Sequence, residues 1–299
     1  MKVLLKRIGS SAKFVNWLKG FKDINSSILI EVDLNEQSFI SKCFPTSKAV
    51  LKYSCISFED AGYELRSIYD DNDKQIKWPS DVETASGRIM IGIFEKLSKV
   101  IDVFNMFSET EHDLTITFEK KNDVQYIRSA SPVSEYQVNA LILKSLTLTM
   151  VIHTSKISEY FEKCDDNTFN NVVCKIVSPV IFAISGDTIS NLTKISSVFA
   201  VDKMTDLLKL VSKKLPDGQK ALYAYDESGG SFEYLLGYYE SGADKDVSIT
   251  MFKENFLNAT KSIANEDINI VLDAESDYKV LLENATTKII IAKAVLPSN

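Results

Sequence analysis

The residues with chemistry to offer are paired carboxylates, four cysteines, two histidines and a recurring set of lysines. The acidic pairs are Asp70–Asp71, Asp165–Asp166, Asp226–Glu227 and Glu266–Asp267. A general acid and base need such a pair in an environment that separates their two pKa values. All four sit among turn-forming residues, where solvated carboxylates close turns instead. Cys43, Cys55, Cys164 and Cys174 are widely spaced and form no Cys-x-x-Cys, and His112 and His153 join no cluster. Zinc asks for several such ligands at short, regular separations. Reduced thiols are therefore expected. Gly229–Gly230 lacks the Lys-Ser/Thr of a phosphate loop. Ser190 ends the stretch Gly186–Ser190, which has the look of a serine nucleophile's surroundings, but no histidine follows it in the chain. A triad would have to recruit His112 or His153 with nothing else in support. The expectation is a protein that is not an enzyme and has no metal or cofactor.

The lysines are different, because they recur in one context. Lys13, Lys19, Lys22, Lys96, Lys99, Lys194, Lys253 and Lys261 all fall on the non-core side of a helical pattern. Any one such lysine is the ordinary solvated face of a helix. Recurrence on four helices points instead to a basic surface that grips a phosphate backbone without reading sequence.

The helices that would hold these lysines span Ser11–Ile24, Phe94–Phe107, Asp187–Phe199 and Lys253–Ile263. The first places Phe14, Val15, Leu18, Phe21 and Ile24 at helical spacing, and Ser10 or Ser11 can cap it. The second buries Phe94, Leu97, Val100, Ile101 and Phe104 and exposes Asp102 beside its lysines. Asp187 can cap the third. Between the helices lie runs with a period of two, such as Asp113–Phe118 and Ile268–Leu272. Strands are also expected at Ser27–Asp33, Ser38–Cys43, Ala49–Phe58, Tyr63–Tyr69, Val172–Val177, Val180–Ile184, Thr205–Lys213 and Ala221–Tyr225. Pro216–Gly218, Gly229–Gly230 and Gly242 mark turns. Asp70–Gly87 and Pro132–Leu143 read as insertions.

A helix followed by a meander thus occurs four times. Two such pairs imply an α+β fold of two similar domains, each with two helices packed on antiparallel sheets. The period breaks over His153–Asn171, so the domains are placed at 1–152 and 172–299 with a connector at 153–171. A length of 299 residues suits two domains. The content, 45% hydrophobic and 25% charged, is that of an ordinary globular protein. The net charge of −7 speaks against a protein that coats nucleic acid over its whole surface, while leaving room for one that gathers its lysines on one face. No apolar run approaches the roughly 18 residues of a membrane span. The opening residues show no signal peptide, so the cytoplasm is the expected compartment.

The layout resembles the DNA polymerase sliding clamps (processivity factors), in particular the T-even phage type and, more distantly, the proliferating cell nuclear antigen, PCNA. Four segments in order carry the resemblance. Lys13–Ile30 looks like the opening helix and first strand, and Ile91–Phe104 like the second helix with its lead-in strand. Ile184–Ile195 looks like the start of the second domain. Phe252–Phe256 and Tyr278–Val295 look like its last helix and closing strands. The likeness is one of pattern over most of the chain. The two insertions depart from it, and the opening helix is less basic than in many clamps.

The resemblance implies a head-to-tail homotrimer, a ring of six domains whose helices face double-stranded DNA. The eight lysines above would approach the phosphates. Its partners would be a DNA polymerase and a clamp loader, in the host cytoplasm if the protein is viral. Their peptides would dock at the turn Asp33, Leu34 and Asn35, the connector, and the chain end at Val295, Leu296 and Pro297. The alternative is a phage or bacterial structural protein that assembles through β-rich domains and has no role on DNA.

Overall fold

Lys2–Arg7 alternates inward Val3 and Leu5 with outward Lys2 and Lys6 and forms strand β1. The computed structural model describes residues 1–22, 24–43, 49–77, 88–94, 96–120, 136–154, 169–198, 206–226, 232–263 and 266–295. The chain divides into two units, Met1–Cys43 with Tyr53–Phe169, and Phe44–Lys52 with Asn170–Asn299. A cut at a single connector does not describe this division, since a short piece ahead of Tyr53 groups with the second unit.

In the first unit β1 is followed by α1 (Ala12–Lys22), β2 (Ile28–Asp33), β3 (Ser38–Cys43), β4 (Val50–Ser57, whose last residues belong here), β5 (Tyr63–Tyr69) and β6 (Gln75–Ile76). Then come β7 (Arg88–Phe94), α2 (Leu97–Phe107), β8 (Asp113–Lys120), β9 (Tyr136–Lys144) and β10 (Thr149–His153). One antiparallel sheet runs β10-β9-β8-β1-β5-β6. In another sheet β2 lies between β3 and β7. α1 packs beside α2. The seam is aromatic: the Phe14 ring lies 4.8 Å from both Phe39 and Phe104. Each such pair adds about 0.5–1.5 kcal/mol beyond the area it buries. Phe14 near Phe104 sets the start of α1 against the far part of α2. At the other end the Leu97 N–H donates to the Ser26 carbonyl just past α1. The two helices therefore run antiparallel.

The second unit holds β11 (Pro179–Ile184), α3 (Gly186–Val198), β12 (Leu207–Lys214), β13 (Lys220–Asp226), β14 (Phe232–Gly242) and β15 (Ser248–Phe252). It closes with α4 (Lys253–Lys261), β16 (Ile268–Asp273), β17 (Lys279–Glu283) and β18 (Thr287–Ala292). The antiparallel order is β15-β12-β13-β14-β11-β16-β17-β18. α3 packs beside α4. Phe182, Leu210, Leu222, Phe256 and Ile270 form part of the core. The two units repeat one plan, strand-helix-meander-helix-meander. The expected α+β fold, with helices on antiparallel sheets, is the fold of the chain.

Several local expectations need correction. Residues 136–143 of the supposed insertion at Pro132–Leu143 belong to strand β9, paired with both β8 and β10; residues 132–135 lie outside the described set. Val172–Val177 is not a strand. Phe169–Val173 forms a π-helical turn, and Asp273 Oδ1 and Oδ2 accept from the Ser178 and Val177 N–H groups at 3.1 Å, holding the chain in a loop. β14 covers a stretch where no strand is expected, because Gly237 and Gly242 punctuate its sequence. Its first half pairs with β13 and its second half with β11. At the changeover a Cβ on Gly237 would lie 2.1 Å from the Ala183 carbonyl oxygen, so only glycine fits. In the first unit the corresponding stretch is broken into β4 and β5 by a turn at Gly62, whose φ of +87° glycine tolerates. Within Asp70–Gly87, β6 hairpins back onto β5, while residues 78–87 lie outside the described set. So do residues 155–168 of the connector and Gly229–Gly230.

Candidate nucleic-acid interface

Helix α1 exists because Phe14, Val15, Leu18 and Phe21 bury one stripe, and its start is tied by the Ser10 Oγ accepting from the Ala12 N–H at 3.2 Å. That register leaves Lys13, Lys19 and Lys22 exposed, with Asn16 between them. Lys19 and Lys22 sit in the last turn, where cations complement the helix dipole. On α2, Leu97, Val100, Ile101, Phe104 and Phe107 turn inward and Lys96, Lys99 and Asp102 stay exposed. On α3 and α4, Lys194 and Lys261 are exposed, and so are Asp187 and Glu254, each about two helical turns from the lysine of its helix.

Lys13 has company. Its Nζ lies 2.8 Å from Asp60 Oδ1, and this hydrogen bond raises the lysine pKa and lowers that of Asp60. Such an exposed pair is weak and opens readily. Lys253 does not belong to the surface at all. It is 2% exposed and is held by Asp226, itself 0% exposed, and by Asp206, whose Oδ2 lies 3.7 Å away. The repeat explains this. The Lys253 N–H donates to the Asp206 carbonyl as the Leu97 N–H does to Ser26, so Lys253 occupies the inward position that leucine fills in the first unit. Asp226 is correspondingly no solvated turn carboxylate. Sequence periodicity missed this trio because each member stands on a different element.

Ser185 caps α3, its Oγ accepting from the Thr188 N–H at 3.3 Å, while Asp187 is exposed. Asp267 Oδ1 also reaches this helix start, accepting from the Gly186 N–H at 3.1 Å. The proposed peptide-docking residues differ in exposure. Asp33 is buried and closes the β2–β3 turn, its Oδ1 accepting from the Asn35 and Glu36 N–H groups at 3.0 Å. Leu34 is buried in the core, so neither side chain is presented as a docking site requires. Asn35 is exposed, and Val295 is 82% exposed. Leu296 and Pro297 lie outside the described residues.

Among the described residues no cluster of three or more His, Cys, Asp or Glu is placed to hold an ion. His112 is buried and structural. Its Nδ1–H donates to the Thr110 carbonyl at 2.7 Å, which leaves Nε2 to accept from the Tyr63 hydroxyl at 2.8 Å. Burial lowers the His112 pKa and raises that of Tyr63, so both stay neutral near pH 7.

Two helices on antiparallel sheet, repeated over two units, define the fold of the PCNA and beta-subunit clamps. No family model and no curated protein matches the sequence. Solved structures match the fold. The PCNA2–PCNA3 complex from Sulfolobus tokodaii matches over 98% of this chain and 99% of its own, at 12% identity and a TM-score of 0.61. Proliferating cellular nuclear antigen from Entamoeba histolytica matches over 99% and 100%, at 13% identity and the same TM-score of 0.61. A putative DNA polymerase III beta subunit from Eubacterium rectale matches 99% of this chain at 11% identity and a TM-score of 0.59; the chain spans 66% of that protein.

Proposed function

We propose that this protein is a DNA sliding clamp: a closed ring of copies around duplex DNA that tethers a polymerase. The observation that carries the reading is the repeat itself. Each unit presents the outward faces of two helices, lysines recur there, and the plan covers PCNA chains end to end. A topological tether needs no bond-making chemistry. Its partners would be a polymerase and a loader, as in the two-domain clamps that the sequence resembles, the T-even phage type among them. Among the described residues no helix is long and apolar enough to cross a membrane.

Closure into a ring would use the strand edges. Ser145 N–H donates to Leu148 C=O and Thr154 N–H to Asn139 C=O, which fixes the alternation along β10. Thr149, Val151 and His153 then aim their N–H and C=O groups away from β9. Such an edge invites another strand. In the second unit Ala49 covers the end of the equivalent strand, β18, its carbonyl accepting from Ala292 N–H. The matching edge for β10 is the first half of β14, around Glu233–Leu235, beside which the described residues place no strand except β13. Pairing β10 of one copy with β14 of the next is a head-to-tail contact, and three two-unit copies would close it. Sedimentation equilibrium should return three times the 33.5 kDa of one chain at micromolar protein. A monomer at every concentration would refute this assembly, and an open-ended series of masses would favour the structural-protein alternative.

A further inference from the structure

We propose that the duplex is gripped by the first unit of each copy alone, at one end of its helix pair; this rests on the clamp reading and deepens it.

The repeat allows the two helix pairs to be compared position by position. Val15 N–H donates to the Ser11 carbonyl and Ile189 N–H to the Ser185 carbonyl, which aligns α1 with α3. Leu97 N–H to Ser26 and Lys253 N–H to Asp206 align α2 with α4. In that alignment Lys13 falls on Asp187, Lys19 on Thr193, Lys22 on Ser196, Lys96 on Phe252 and Lys99 on Asn255. No lysine position of the first pair holds a lysine in the second. The lysine that the second unit does place at the head of α4, Lys253, is turned into the core and neutralised there by Asp206 and Asp226.

Geometry concentrates the difference. Because α1 and α2 run antiparallel, the last turn of α1 lies beside the first turn of α2. Lys19, Lys22, Lys96 and Lys99 thus share one end of the pair, and all four are exposed. Each stands one helical turn or less from its neighbour on the same helix, about 4.5 Å of rise. In the sequence Asp23 follows Lys22 and Glu95 precedes Lys96, so the four lysines exceed the acids that flank them by two charges; the exposed carboxylate of α2, Asp102, lies one turn further on, and Asp60, with Glu59 next to it, sits at the opposite end with Lys13. In the second pair Lys194 and Lys261 are matched in number by Asp187 and Glu254, so that face offers phosphate no net attraction. The occupant of the first patch is a polyanion with closely spaced charges, and within the clamp reading that is the duplex backbone. A ring of three copies would carry three positive patches alternating with three neutral faces.

The test compares two variants by fluorescence anisotropy on a short, open-ended duplex across a salt series. One carries Lys19, Lys22, Lys96 and Lys99 changed to Gln, the other Lys194 and Lys261 changed to Gln. The first variant should lose on the order of a hundredfold in affinity at low salt, and its log–log salt slope should fall by about one per phosphate contact removed. The second should bind within about twofold of the unaltered protein, since near-neutral faces add little to the counterion term. Equal losses in both variants would overturn the asymmetry and leave the clamp reading standing. No salt-dependent binding by the unaltered protein would overturn the grip itself. Sedimentation of the same samples separates these outcomes from failure of the ring, and retained mass and circular dichroism in the first variant exclude a folding defect.

Discussion

Changing Lys253 to Met should destabilise the second unit by about 3–5 kcal/mol, because it removes the ammonium that Asp226 and Asp206 share in the core. Asp226 is fully buried and Asp206 nearly so. Methionine fills much the same volume, so the loss is electrostatic and not a cavity effect. The damage should be local. Amide exchange in β12, β13 and α4 should quicken, while β1 and β8 keep their protection. Adding Asp226→Asn to the variant should restore part of the loss, since a neutral amide costs less to bury than a carboxylate without its cation. A loss below about 1 kcal/mol, or no rescue by the double change, would show that the trio does not hold α4 to the sheet.

Changing Val151 to Pro should shift self-association toward monomer by at least about a hundredfold, while leaving the first unit folded. Val151 is 47% exposed and its N–H points away from β9, so proline removes no bond within the sheet. What it removes is one ladder hydrogen bond to an incoming strand, and its ring blocks close approach. The neighbouring Met150 and Ile152, which bond to β9, serve as controls: proline there should disturb the fold itself. Sedimentation and circular dichroism on the three variants separate assembly from folding. An unchanged trimer in Val151→Pro would place the copy-to-copy contact elsewhere on the chain.

The sequence carried the helices well because each has a buried stripe that a period near 3.6 exposes; Phe14, Leu18 and Phe21, or Val100, Ile101 and Phe104, leave little choice of face. It carried most meanders for the same reason with a period of two. It failed where a residue's environment comes from another element. Gly242 reads as a turn, yet it is the last residue of β14, and the strand's inner glycine, Gly237, is forced by the Ala183 carbonyl. Asp33 and Leu34 read as a polar turn open to partners, yet one is spent on its own turn and the other is core. Lys253 stands at the head of an amphipathic helix like any solvated lysine, and only Asp206 and Asp226, brought in from β12's approach and β13's end, turn it inward. β1 is legible in the alternation of Val3 and Leu5 with Lys2 and Lys6.

The central claim is topological linkage, and the direct measurement is retention on closed against cut DNA. Rings are formed on a nicked circular duplex by raising protein concentration in its presence, then passed through gel filtration at high salt, where electrostatic contacts are lost. The protein should travel with the circle and leave it once a single restriction cut opens the DNA. Equal release from circular and linear DNA would contradict topological linkage.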